Sequence, residues 1–196
     1  MPDRTAPTDH PVHPILASRW SPRAFGARSL TGEAIASLFE AARWSPSANN
    51  LQPWAFIYTV RDTPEFGLLC GCLKDTNAVW ARHAALLGLA LERSARPDGS
   101  PNGHARYDLG QAVAHLTFQA SALGIHIHQM AGFDPDRART SLGIPQGLLP
   151  VTAFAVGYPG EAPGLPAAIR EKDLAPRTRH PASTFVHAGQ WPDRVD

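Results

Sequence analysis

Cysteine is nearly missing from this chain: Cys70 and Cys72 are its only two. They lie too close together to suggest a disulfide framework, and no second pair is present to complete a four-thiolate zinc site. Lysine is as scarce, since Lys74 and Lys172 stand alone and the other sixteen basic residues are arginines. Basic and acidic side chains nearly cancel, 18 against 17, so a chain of net charge +1 has no field favouring nucleic acid or an anionic membrane surface. No apolar run approaches bilayer-spanning length, and Met1 to Pro14 lacks the apolar core of a signal peptide. A Walker sequence is absent, as is any Gly-x-Gly-x-x-Gly after a strand, so a phosphate would have to be held without a glycine-rich loop. These absences point to a reduced, cytoplasmic, soluble protein. Its 196 residues suffice for one domain over residues 14–196, behind a flexible leader over 1–13.

What is present has clear punctuation. Thr31 reads as an N-cap, with Leu30 and Ile35 as a hydrophobic staple and Ile35, Leu38, Phe39 and Ala42 as one apolar stripe that must end before Pro46. Residues 55–60 are β-branched or aromatic on both faces and predict an interior strand. A helix is expected from Pro64 to Lys74, a buried strand over 84–91 and a flexible loop over 94–106. A long helix then opens at Tyr107 or Asp108, with its stripe on Leu109, Val113, Leu116, Ala120 and Leu123, and stops at Gly124. Its many small residues suit close approach of another backbone. Strands follow at 125–130 and 151–158, separated by a helix capped by Asp134 with Pro135 at its first position and ended by Gly143.

Three groups of residues carry chemistry. Between Arg43 and Trp54 a helical pattern gives way to a turn in which Ser47, Asn49, Asn50 and Gln52 offer uncharged donors and acceptors, suited to the edge of a heterocycle or simply to capping the turn itself. Arg19, Ser21 and Arg23 alternate, so in an extended segment they share a face and could meet one anion; solvated surface arginines are the plainer reading. Arg177 and Arg179 repeat that spacing near the other end of the chain. His126 and His128 also share one face of a strand, as zinc ligands do in some hydrolases, although no spacing singles out a third ligand and ordinary packing explains them as well. Cys70 and Cys72 read most simply as small packing residues.

The segment from Arg19 to Phe25, followed by Leu38 to Trp54 with Trp44-Ser45-Pro46-Ser47-Ala48-Asn49-Asn50-Leu51-Gln52-Pro53 at its heart, resembles the amino-terminal signature of the nitroreductase family of flavin enzymes. Later landmarks resemble that family in the same order: Asn77 with Trp80, the helix from Asp108 to Gly124, the turn Met130-Ala131-Gly132-Phe133-Asp134, and the pair Arg177 and Arg179. The resemblance spans most of residues 15–190. It implies an α+β three-layer sandwich, a mixed and mostly antiparallel sheet flanked by helices, in an intertwined homodimer that binds FMN at its subunit interfaces.

By the same resemblance Arg19 and Ser21, with Trp20 beside them, would join Arg177 and Arg179 on the FMN phosphate. Arg23 would approach the pyrimidine end, and Pro46, Ser47, Ala48 and Asn50 would line ring and ribityl. Asn77 would bond the flavin edge, and the turn at Met130, Ala131 and Gly132 would face N5; Asn49 and Gln52 are left to shape the substrate pocket. Some family members carry a glutamate at the position of Ala131 and a lysine at that of Trp80. The implied activity is transfer of hydride from NADPH or NADH, through flavin, to a small electron-poor acceptor such as a nitroaromatic or quinone, with no protein nucleophile, no metal, no nucleic acid and no membrane. The alternatives are a flavin-binding or flavin-modifying protein without nicotinamide turnover and, more remotely, a zinc hydrolase built on His126 and His128.

Overall fold

The computed structural model of the chain describes residues 4–161 and 165–191. After a short α1 (Pro14–Ser18), Thr31 caps α2 (Gly32–Arg43), its hydroxyl accepting from the Ala34 amide at 3.1 Å. The remaining elements are β1 (Trp54–Val60), α3 (Pro64–Cys70), α4 (Asp75–Ala81), β2 (Leu86–Arg93), α5 (Ala105–Ala122), β3 (His126–Met130), α6 (Pro135–Ser141), β4 (Leu148–Gly157) and α7 (Ala167–Leu174). The four strands form one sheet in the order β1-β2-β4-β3, and every pairing among them is antiparallel.

Strand β2 shows why the sheet lies between two helical layers. Leu87, Leu89 and Leu91 point into a core made with Phe66 and Leu69 of α3, Trp80 of α4 and Ala138 of α6. Leu86 and Ala90 point the other way, into a core made with Ile35 and Leu38 of α2 and Leu109 and Leu116 of α5. A strand with no polar face must be covered twice, and burying each such leucine contributes about 2 kcal/mol. The expected three-layer α+β sandwich is therefore what the chain forms.

Some boundaries differ from the sequence expectation. β1 is an edge strand of the sheet rather than an interior one; its aromatic residues are covered from α2, where the Phe39 ring lies 5.5 Å from Phe56 and 5.2 Å from Tyr58. α3 stops at Cys70, before Lys74, and α5 begins at Ala105, two residues before Tyr107. Leu123 falls outside the stripe and is exposed, beyond the last turn of α5. The loop 94–104 is closed by its own backbone, with the Asn102 amide donating to Ser94 and the Arg96 amide to Ser100, both at 2.8 Å. Among the described residues no helix is long and apolar enough to cross a membrane.

Candidate functional site

The arginine segment is fixed by the two histidines. Leaving α1, the chain becomes extended at Arg19 and runs beside β3, at the sheet edge opposite β1. Nδ1 of His128 lies 3.0 Å from the Pro22 carbonyl and Nδ1 of His126 lies 3.5 Å from that of Trp20. A carbonyl only accepts, so these contacts assign the imidazole proton to Nδ1 in both rings. The His128 ring packs 4.5 Å from Trp80, and that of His126 meets Trp20 edge-on at 5.9 Å. These histidines are pegs. Among the described residues no group of three His, Cys, Asp or Glu is placed to hold a metal ion, so the zinc reading has no ligand set.

Burial holds both imidazoles below their ordinary value near 6.5, with Arg23 adding to the effect at His128 and Arg19 at His126. The folded chain thus excludes protons that the unfolded chain accepts. The stability that the neutral rings confer is complete above the ordinary histidine value and is lost as pH falls below it. The melting temperature should drop between pH about 7.5 and about 5.5, and His128→Gln should flatten that drop; an equally steep drop in the variant contradicts the assignment.

Arg19 opens into a cleft of about 660 Å³ whose other walls include Arg177, Arg179, His180 and, from the leader, Ala6 and Asp9. The two ends of the sequence therefore meet here. Arg19 donates to the Ser21 hydroxyl at 3.2 Å, and its guanidinium is pushed below its usual value by burial and by the charges of Arg177 and Arg179. Among the described residues none of these three arginines forms an ion pair. Arg177 is nonetheless engaged: it donates to the carbonyls of Ala17 and Arg19, each at 2.9 Å, and to that of Arg4. It acts as a clamp that ties Arg4 to Ala17 of α1 and to Arg19, which leaves Arg19 and the exposed Arg179 as the freer cations.

Four extended residues further on, roughly 13 Å away, Arg23 enters a second cleft of about 710 Å³ with Asn77, Trp80, Arg82, Ile169 and Lys172. Asn77 donates through Nδ2 to the Gly132 carbonyl at 3.0 Å, which also accepts from the Lys74 amide at 3.0 Å. A Cβ at Gly132 would stand 2.6 Å from that Nδ2, so a side chain there would displace the Asn77 amide from this bond. Met130 is buried in the core with its carbonyl held by Thr152, while Ala131 is exposed. The structure thus unites Arg19, Trp20, Ser21, Arg177 and Arg179 in one place, and Arg23, Asn77 and Gly132 in another along the same segment.

The turn at 46–52 lies elsewhere. Ser47 accepts from the Gln52 amide at 3.0 Å, the Gln52 side-chain amide donates to Asn50, and Asn49, Asn50 and Gln52 all adopt positive φ. Three consecutive-region residues in a left-handed conformation store strain that the surroundings must hold. One holder is Asp108, 2% exposed on the first turn of α5, which accepts from the Ala48 amide at 3.1 Å. Phe118 of the same helix lines the arginine cleft, ten residues and roughly 15 Å further along. Pro46, Ser47, Ala48, Asn49, Asn50 and Gln52 line neither cleft of their own chain. Asp108 and Phe118, and Asp173 of α7, which accepts from the Arg23 amide at 2.7 Å, are residues around these places that sequence reasoning missed: each looks like an ordinary helical position, and no local pattern reveals the partners of Asp108 and Asp173, 60 and 150 residues away.

Fold and site together define an α+β sandwich domain with an arginine-walled cleft at one sheet edge and a polar turn with positive φ angles at the other. Residues 16–65, which include both the Arg19–Arg23 segment and the turn, match the model of the nitroreductase family. A solved structure described as an oxidoreductase containing FMN is 31% identical, with a TM-score of 0.92 over 99% of this chain and 100% of its own. A 15.4 kDa protein of Mycolicibacterium smegmatis is 33% identical over 129 residues, 64% of this chain and 84% of the relative. An NADH dehydrogenase of Thermus thermophilus is 27% identical over 65% of this chain and 76% of its own. The chain belongs to the nitroreductase family.

Proposed function

We propose that the chain is an FMN-dependent NAD(P)H oxidoreductase. The observation that carries this reading is the convergence of Arg19 with Arg177 and Arg179 on one cleft without ion-pair partners among the described residues. Like charges gathered in a partly buried place oppose folding unless something neutralises them, and a phosphate monoester with two negative charges suits guanidinium donors. That donor set fits FMN, and the similarity to an FMN-containing oxidoreductase supports the same choice.

In this reading Arg19, Ser21 and Arg179 hold the phosphate, while Arg177 shapes the cleft by clamping the leader. Arg23 and Asn77 meet the pyrimidine edge of the ring, with Trp20 beside the segment and the backbone at Ala131 and Gly132 bordering the reactive side. Met130 contributes backbone only, because its side chain is committed to the core. When bound, FMN would supply the redox chemistry, taking hydride at N5 from NADPH or NADH and delivering it to an electron-poor acceptor such as a nitroaromatic or quinone. The protein's part is to anchor, orient and electrostatically bias the ring. The turn stands at the opposite sheet edge from the arginines and lines neither cleft of its own chain, so in this reading it serves a second copy. A homodimer follows, with Pro46, Ser47, Ala48 and Asn50 lining the neighbour's flavin and Asn49 and Gln52 bordering its acceptor. The two free thiols, both pushed up by burial and so less reactive, suit a reducing cytoplasm.

Anaerobic titration of the FMN-loaded protein with NADPH and then NADH tests the reading. Bleaching of the flavin absorption bands by either is expected. A loaded protein that neither nucleotide bleaches would favour flavin binding without nicotinamide turnover.

A further inference from the structure

Asp173 is the buried residue of α7, a helix whose neighbouring charges at Arg170, Glu171 and Lys172 are exposed or nearly so. Its carboxylate ignores the cations of its own helix and reaches 150 positions back. Oδ2 accepts from two successive backbone amides, Arg23 at 2.7 Å and Ala24 at 3.1 Å, and Oδ1 accepts from the Arg23 guanidinium at 3.1 Å. Its side chain is 8% exposed and that of Arg23 is 28% exposed, so the pair is substantially shielded from water. Four residues later Arg177 grips the Arg19 carbonyl at the other end of the same segment. The tail is thus laced to both ends of Arg19–Arg23, and at one end the lacing group carries a charge opposite to the residue it holds.

We propose that Asp173 is a positioning residue for the flavin site: it fixes Arg23 against the pyrimidine edge and damps its positive charge, lowering the reduction potential of the bound ring. The inference rests on the flavin reading given above. An unpaired guanidinium at that edge would stabilise the negative charge that accumulates there on reduction; a carboxylate 3.1 Å from the same guanidinium cancels part of its field, and does so effectively where water is excluded. Asp173 makes its three bonds to Arg23 and Ala24, so its influence passes through Arg23.

The test is the midpoint potential of bound FMN, measured in the unaltered protein, in Asp173→Asn and in Arg23→Gln. Asparagine keeps an oxygen for the two backbone amides and loses the charge together with the acceptor facing the Arg23 guanidinium, so FMN affinity should stay within about tenfold while the potential shifts upward. Arg23→Gln should shift it downward. Opposite signs are the signature, because a residue that merely kept Arg23 in place would, when removed, mimic the loss of Arg23. Should Asp173→Asn not fold, Asp173→Ser removes the same charge and retains an acceptor, and the same upward shift is expected. An unchanged potential, or a shift in the direction of Arg23→Gln, overturns the proposal alone. Failure of the unaltered chain to bind FMN overturns it together with the flavin reading.

Discussion

Arg19→Ala weakens FMN binding by about 10- to 100-fold, the loss expected when a charge-assisted hydrogen bond worth about 1.5–3 kcal/mol is removed, and it does so without destabilising the free protein. Of the three arginines around the cleft, Arg19 is held away from its usual ionisation first by burial and then by its two neighbours. Removing it relieves repulsion in the absence of ligand. What the rest of the fold needs from residue 19 is its carbonyl, which accepts from Arg177 and survives substitution. The melting temperature of the flavin-free variant should therefore match or exceed that of the unaltered chain while affinity falls, a division between stability and binding that structural damage cannot produce. Arg177→Ala behaves differently. It frees three carbonyls on the leader, α1 and residue 19, so stability should fall along with affinity. Fluorescence titration with FMN and a thermal melt of each flavin-free variant decide the matter; equal affinity in Arg19→Ala contradicts the assignment.

Gly88→Ala costs about 3 kcal/mol or more, the reverse of the usual small gain when glycine leaves a strand interior. Gly88 sits in the middle of β2 directly opposite Phe154 of β4, and the phenyl ring folds back over it. A Cβ at this position would lie 2.2 Å from Cζ of that ring and within 2.9 Å of two more of its atoms. Phe154 is 1% exposed beneath α2 and α5, so it has nowhere to go without opening the core on that face. Urea denaturation gives the loss directly. Because one ring causes it, Phe154→Leu should recover part of it: the double variant is expected to be less unstable than the sum of the two single changes, and strict additivity would show that the ring is not responsible.

Local chemistry made much of the fold legible. Thr31 and Asp134 cap helices where their positions predict, Gly124 and Gly143 end them at positive φ, and the four strands follow their apolar runs. What local chemistry could not reveal is the rank of a strand in its sheet. The run at 54–60 is apolar enough to read as interior, yet it lies at an edge: apolarity reports covered faces, here through Phe39 of α2, and not the number of strands that pair alongside. The site divides in the same way. Alternation marked Arg19, Arg23, Arg177 and Arg179, and the family resemblance joined them, but nothing in the sequence distinguished the clamp Arg177 from the freer Arg179. The carboxylates of Asp108 and Asp173 stayed hidden because each is defined by a backbone amide from a distant segment. The histidines, which invite a metal, are occupied by the carbonyls of the arginine segment, which only tertiary structure brings within reach.

If this cleft is the flavin site, it recognises the flavin by its phosphate. Parallel titration of the flavin-free protein with FMN and with riboflavin, which shares the ring and ribityl but lacks the phosphate, isolates that contribution. FMN is expected to bind at least about 100-fold more tightly, with the difference shrinking as salt is raised and largely lost in Arg19→Ala. Equal affinity for the two flavins would mean that the arginines gathered from both ends of the chain serve some other anion.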